Sequence, residues 1–298
     1  MGPGFPPIRF PAVFPRNMRY PASMSTEFRL PGPFPADFPR RVAIRCAGLV
    51  DIAYALYQQW SDAGKPPEAR MKFKPVSLGG LVFADPFWRT LTYRKPIAIG
   101  PKNTARRYKT MVEHTPAGAC AREGSFLYVV FRGTLGNAEK ITNFMAGKQD
   151  AVFDDLKGGG VHRGFHQCYA SVRESIMDFL EANASHGKTI RLAGYSLGGA
   201  LATLAAMDIA TSWIPHRRLE VFTFASPRVA SRKWARHYDS QRIETWRIAN
   251  RKDPVTKVPF KFLGYRHVGT PIRFAALSGF AAHSLDRAYL PALRGKSP

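Results

Sequence analysis

The sequence predicts an α/β fold in which a mostly parallel central sheet is flanked by helices, and three observations carry that prediction. The stretch Thr189 to Ala193 runs through Gly194-Tyr195-Ser196-Leu197-Gly198 straight into the small, apolar segment Gly199 to Ala210, which reads as strand, sharp turn and helix. Ser125 to Phe131, nearly all apolar or aromatic, reads as a buried central strand. Beyond the turn, Leu219 to Phe224 and Ile243 to Ile248 read as further strands, so β and α alternate around it as in a doubly wound sheet.

Taken from the N-terminus, residues 1 to about 40 are dense in Phe-Pro pairs such as Phe5-Pro6, Phe14-Pro15 and Phe34-Pro35. Prolines at this density deny the chain both helix and ladder, so an extended, disordered arm is expected before a domain spanning 41–298. Ala43, Ala47, Val50, Tyr54 and Tyr57 recur at spacings of three and four and predict a first helix ending at Gly64-Lys65-Pro66-Pro67. Met71 to Ala105, rich in Pro, Gly and basic residues, is expected to be irregular surface. Tyr108 to Glu113 reads as a strand joined to Ser125–Phe131 around a Pro116-Ala117-Gly118 turn. An amphipathic helix is expected from about Cys168 to Ala182.

Composition narrows the function classes. Lys and Arg number 44 against 21 Asp and Glu, a formal charge of +23, enough to draw the protein toward polyanions. The pattern argues against nucleic acid as a partner, because the basic residues are scattered and no helix-turn-helix, zinc finger or RNA-binding strand motif is present. Contact with an anionic membrane surface fits better. Three scattered cysteines support neither a disulfide framework nor a zinc site, so no metal and no cofactor are expected. With neither a Sec-type signal nor an apolar run of transmembrane length, a soluble protein is expected, cytoplasmic by default.

The chemistry sits at the turn. A serine held out of a tight strand-to-helix turn needs glycines on either side, where Cβ atoms would collide, so Ser196 is the candidate nucleophile. The N–H of Leu197, opening the helix, is placed to stabilise an oxyanion. A serine needs a histidine base and a carboxylate to orient it, and on this architecture the chain order is Ser, acid, His. Among the downstream acids, Asp253 lies just past a strand end in an Asp-Pro turn. His216 and His237 precede it and break the order, which leaves His267 and His283. His267 sits in an alternating, strand-like stretch and reads as structural. His283 follows Gly279-Phe280-Ala281-Ala282 in a loop and is preferred.

These residues fall within a series: Val130-Phe131-Arg132-Gly133-Thr134, Val161-His162-Arg163-Gly164-Phe165, the serine turn, Ala225-Ser226-Pro227-Arg228-Val229, Asp253-Pro254-Val255, Tyr265-Arg266-His267-Val268-Gly269 and His283-Ser284-Leu285-Asp286. In this order they resemble the successive motifs of the class 3 lipases, the fungal-type triacylglycerol lipases and their relatives. The resemblance implies an α/β-hydrolase fold, hydrolysis of lipid esters, and Ser196, Asp253 and His283 as a catalytic triad. It further implies Thr134 as a second oxyanion donor beside Leu197, bracing roles for Arg132, His162 and Arg228, and a lid over Leu135 to about Phe144 hinged at Gly136 and Gly158–Gly160. Phospholipase action on anionic membranes and a catalytically silent lipid-binding relative are the alternative readings.

Overall fold

The computed structural model describes residues 34–78, 81–83, 86–99, 105–134, 147–151, 153 and 156–295. Most of the expected arm, residues 1–33, lies outside them. Its end does not: Phe38 is buried, its ring centroid 5.4 Å from that of Trp246, and Phe34 packs on Phe38, so packing begins before Arg41.

Among the described residues the centre is a seven-stranded sheet ordered β13-β11-β9-β8-β5-β4-β3. Strands β5 (Phe126–Phe131), β8 (Thr189–Tyr195), β9 (Arg218–Phe224), β11 (Glu244–Asn250) and β13 (Thr270–Phe274) run parallel, while β4 (Ala105–Glu123) and β3 (Pro86–Ile99) extend it antiparallel. A hairpin of β1 (Val76–Leu78) and β2 (Leu81–Phe83) and a small sheet of two-residue strands, β6 (Lys148–Gln149), β7 (Val161–His162), β10 (Ala230–Ser231) and β12 (Tyr265–Arg266), complete the β structure. All seven residues of β8 are buried, as a strand covered on both faces requires. One face carries α2 (Arg163–Asn183) and α3 (Leu197–Thr211); the other carries α1 (Arg40–Asp62) and the C-terminal α5 (Leu290–Arg294), with α4 (Arg232–Ser240) placed before β11. Every residue of α3 from Leu197 to Ile209 is buried, which suits a helix apolar on all sides. Its buried Asp208 accepts from Tyr169 at 2.6 Å and from the Arg173 guanidinium at 2.7 and 3.0 Å, pinning α2 to α3.

Two local readings are corrected. The expected irregular surface from Met71 to Ala105 contains β1, β2 and β3, the last paired along its length with β4. Its pattern hid this because β3, the outer strand among the described residues, carries Pro96, which edge strands tolerate. The expected Pro116-Ala117-Gly118 turn is the interior of β4, and the real turn is at Gly124 (φ 52°). Register jumps from Phe87↔Gly118 to Trp88↔Pro116, leaving Ala117 as the extra residue of a bulge. Gly118 is there for close approach, since a Cβ would lie 1.9 Å from the Val130 carbonyl oxygen and 2.3 Å from the Phe87 ring. The Ala117 carbonyl accepts from the N–H of Arg132 at 2.9 Å, so the bulge helps to fix where the chain leaves β5. The three cysteines are free thiols, and burial pushes Cys46 and Cys168 up to about 12.

Candidate active site

The parallel strands end on one side of the sheet, and β8 ends there in the serine turn. Ser196 holds φ 57° and ψ −123°, a conformation that costs an L-residue on the order of 1–3 kcal/mol and persists only where surroundings enforce it. Three glycines supply that enforcement by letting backbones touch. A Cβ on Gly194 would lie 2.1 Å from the Gly198 oxygen, one on Gly198 would lie 2.5 and 2.6 Å from the carbonyl oxygens of Phe131 and Arg132, and one on Gly199 would meet Ser226 Cβ at 2.8 Å. The Ser196 N–H donates to the Phe224 carbonyl at the end of β9 (2.8 Å). Ser196 is itself 2% exposed.

Asp253 follows β11 by three residues and is fully buried. Its Oδ1 accepts from the Val255 N–H at 2.8 Å, and its Oδ2 accepts from the Tyr289 hydroxyl at 2.7 Å and from His283 Nδ1 at 2.8 Å. Because a carboxylate only accepts, the proton of neutral His283 sits on Nδ1. Nε2 is then free to accept from Ser196 Oγ, at 2.9 Å. Asp253, His283 and Ser196, from three separate strand ends, thus form one hydrogen-bonded chain.

His283 lies on a 3-10 turn, Gly279–His283, rather than in a plain loop. Asn250, the last residue of β11, holds that turn: its Nδ2 donates to the carbonyls of Ala276 and Ala282, and its Oδ1 accepts from the Ala276 N–H. Tyr195 stacks on the His283 ring at 5.0 Å, and its hydroxyl donates to the His283 carbonyl. The sequence reading missed Asn250, Tyr289 and the Tyr195 hydroxyl. Position in the Tyr195 case was visible as the residue before the serine; the other two carry no local signal.

Gly133 and Thr134 follow β5 and reach the serine. A Cβ on Gly133 would lie 3.1 Å from Ser196 Cβ and 3.0 Å from the Tyr195 oxygen, so this backbone runs in contact with the turn. The Gly133 N–H donates to Tyr54 Oη at 3.0 Å. Leu197 is the first residue of α3, where amides lack intrahelical acceptors. The expected lid, Leu135 to Phe144 with Gly136, lies outside the described residues, while Gly159 and Gly160 each give a carbonyl to Ser231 at 2.9 Å.

The remaining motif residues sit beside the site. Arg132 is 2% exposed and donates to Pro116 O (2.6 Å), Gly133 O (2.7 Å) and Thr115 Oγ1 (2.8 Å), with its guanidinium 4.2 Å from the Tyr57 ring centre. His162 caps α2 through the Phe165 N–H, and burial pushes it down to about 4. Arg228 donates to the carbonyls of Lys257 and Pro259. His267, the other downstream histidine, donates from Nε2 to Thr256 O at 2.9 Å, away from the serine, and desolvation together with the Arg247 charge pushes it down to about 3.

Residues 128–263 match the family model "Lipase (class 3)". The secreted mono- and diacylglycerol lipase 1 of Fusarium solani is 32% identical over 143 residues, 47% of this chain and 41% of that protein. A lipase of Rhizopus oryzae is 31% identical over 147 residues (48% and 37%), and the chloroplastic phospholipase A(1) DAD1 of Arabidopsis thaliana 33% identical over 147 residues (44% and 33%). The chain spans less than half the length of each of these relatives. Among solved structures, the native propeptide complex of Rhizomucor miehei lipase superposes with a TM-score of 0.55 at 19% identity, covering 87% of this chain and 78% of that one. The fold is that of the α/β-hydrolases.

The low position of His267 has a stability consequence. An unfolded histidine titrates near 6.5, so the neutral buried form contributes its full stability above that pH and loses it as pH falls toward about 3. The slope reaches at most about 1.4 kcal/mol per pH unit for one such group. His267→Gln is expected to lose less stability than wild type between pH 7.5 and 4.5 in urea denaturation. Parallel pH dependences would show that His267 is not held neutral.

Proposed function

We propose that this chain, whose residues 128–263 match the class 3 lipase model, is a serine hydrolase of carboxylic esters carried by lipids, a lipase or esterase working through an acyl-enzyme. The observation that supports this most directly is the unbroken chain from Asp253 through His283 to Ser196 at 2.8 and 2.9 Å. Ser196 Oγ attacks the ester carbonyl as His283 Nε2 takes its proton, and the cation that forms is stabilised by the fully buried Asp253 carboxylate. The negative charge that develops on the carbonyl oxygen is met by the backbone N–H groups of Leu197 and Thr134. His283 then gives its proton to the departing alcohol oxygen, and a water, deprotonated by the same imidazole, releases the fatty acid and restores the serine.

A second, finer reading is phospholipase action at an anionic membrane, and one surface favours it. Phe260, Phe262 and Leu263 are 50, 82 and 49% exposed, with the two rings stacked at 5.3 Å, Lys261 between them in sequence and Lys257 three residues before. They lie on the chain that follows Asp253. Aromatic side chains among lysines suit an interface of acyl chains and anionic headgroups, and a plant relative carries the name phospholipase A(1).

Wild type is expected to be labelled covalently by a fluorophosphonate and to hydrolyse p-nitrophenyl butyrate, with Ser196→Ala unlabelled and slower by roughly 10⁴-fold or more. Equal labelling of both proteins would put the reactive residue elsewhere, and a wild type neither labelled nor active would leave only a lipid-binding relative. Activity on anionic vesicles is expected to fall roughly tenfold as salt is raised toward 0.5 M while hydrolysis of the soluble ester holds steady, since only the former depends on screened attraction. Identical salt responses would remove the membrane reading.

A further inference from the structure

Behind the Gly133–Thr134 backbone lies a cavity of about 400 Å³ whose lining is unusually cationic. Arg89, Arg132 and Lys65 face it, and Glu113 is the one carboxylate among its lining residues. Arg89 is 1% exposed, yet only its Nη2 has a partner, the Gly133 carbonyl at 3.3 Å; Nε and Nη1 have none among the described residues. Arg132 approaches the same carbonyl from its own side at 2.7 Å, so two buried guanidinium groups converge on one oxygen. Burial, and then the nearby Arg89 charge, pushes Arg132 down to about 9. The hydroxyl of Thr134, also lining the cavity, is buried and has no partner among the described residues.

Buried donors left unpaired are costly. The β4 bulge places Arg89 beside this cavity: its neighbour Trp88 pairs with Pro116 where the register shifts, and Phe87, Trp88 and Arg89 are buried in succession. Such bulges recur where a side chain is re-aimed next to a site. The remaining wall is apolar, with Tyr57 and Trp60 from α1 and Val112 at the rim. His114 pairs with Glu68 at 2.9 Å, and the Glu113 charge acts on both arginines, so the lining keeps three cations, Arg89, Arg132 and Lys65, against one carboxylate. A ligand that satisfies this lining carries several acceptor oxygens and a negative charge at one end and hydrocarbon at the other.

We propose that this cavity binds the oxyanion of a lipid, a carboxylate or a phosphate group, held by Arg89 with the Thr134 hydroxyl and with its apolar part against Tyr57 and Trp60. That the anion is carried by a lipid rests on the function proposed above; that the cavity takes an oxyanion does not. The two sources are the fatty acid released by hydrolysis and the phosphate of a phospholipid headgroup. Either would sit beside the backbone expected to hold the reaction's own oxyanion, because Arg89 and Arg132 grip the carbonyl that precedes the Thr134 N–H.

The test uses the full chain carrying Ser196→Ala, so that binding is read without turnover and independently of whether the serine hydrolyses anything. Titration calorimetry at low salt and pH 7 with octanoate, octyl phosphate, inorganic phosphate and octanol is expected to give at least one of the two amphiphilic anions an affinity at least tenfold above that of octanol. Adding Arg89→Gln should weaken that anion at least tenfold and leave octanol unchanged, whereas Arg89→Lys should keep part of the affinity. Preference for octanoate assigns the site to the released acid, and preference for octyl phosphate assigns it to a headgroup. Inorganic phosphate binding as tightly as octyl phosphate would overturn the lipid half of the proposal. Should Arg89→Gln not fold, Lys65→Gln at the rim should still weaken the anion about threefold, and the anion should raise the Tm of the Ser196→Ala protein where octanol does not. Equal binding of octanol and the anions, or a folded Arg89→Gln protein with unchanged affinity, contradicts the site.

Discussion

Two backbones lie in direct contact at the centre of this protein, and the rest of the site depends on that contact. Gly198, the second residue of α3, abuts the carbonyls of Phe131 and Arg132 at the end of β5, with no room for a Cβ between them. This proximity lets the strained Ser196 turn lie against Gly133, so that the proposed nucleophile at the end of β8 and the proposed Thr134 donor after β5 come close together. Parallel pairing of β5 with β8 sets the level at which both strands end, Phe131 opposite Gly194. The strain at Ser196 is therefore sustained by burial on every side, including the small side chain of Ser226 against Gly199.

Asp253 and His283 are secured by a second kind of constraint, the use of hydrogen-bonding capacity in a buried place. Asp253 has no exposure and meets three donors, from Val255, Tyr289 and His283. Tyr289 in turn accepts from the Asn250 N–H at 3.1 Å, and Asn250 spans the Ala276 and Ala282 backbones. One polar cluster thus ties the end of β11 to the turn bearing His283, and the imidazole has little freedom except along the line to Ser196. A site built this way is organised before substrate arrives, which is what electrostatic stabilisation of a transition state requires.

Much of this was legible in the sequence, for reasons that differ by residue. The glycine pair around Ser196 marks a turn that few other residues tolerate, and the chain order of the motifs leaves two candidates for the histidine. The structure separates those by partner: His267 reaches Thr256, His283 reaches Asp253 and Ser196. Gly118 misled because a glycine beside a proline signals a turn, whereas here it admits the Val130 backbone and the Phe87 ring. Strand β3 was hidden because its pattern carries a proline and many basic residues. Asn250 and Tyr289 could not be found from local pattern at all, since their roles come from contacts 26 to 39 residues away along the chain. Arg89 is of the same kind, drawn toward Gly133 by a bulge in the neighbouring strand.

The central claim is that a reacting carbonyl at Ser196 has its oxygen held by two backbone amides while His283 remains on the serine side of it. A crystal structure of the protein after reaction with an alkyl phosphonate ester tests this at the atoms concerned. The account predicts a covalent bond to Ser196 Oγ, a phosphonyl oxygen roughly 2.7–3.1 Å from the backbone nitrogens of Leu197 and Thr134, and His283 still bonded to Asp253. An adduct whose oxygen points away from both amides, or one formed at another side chain, would contradict it.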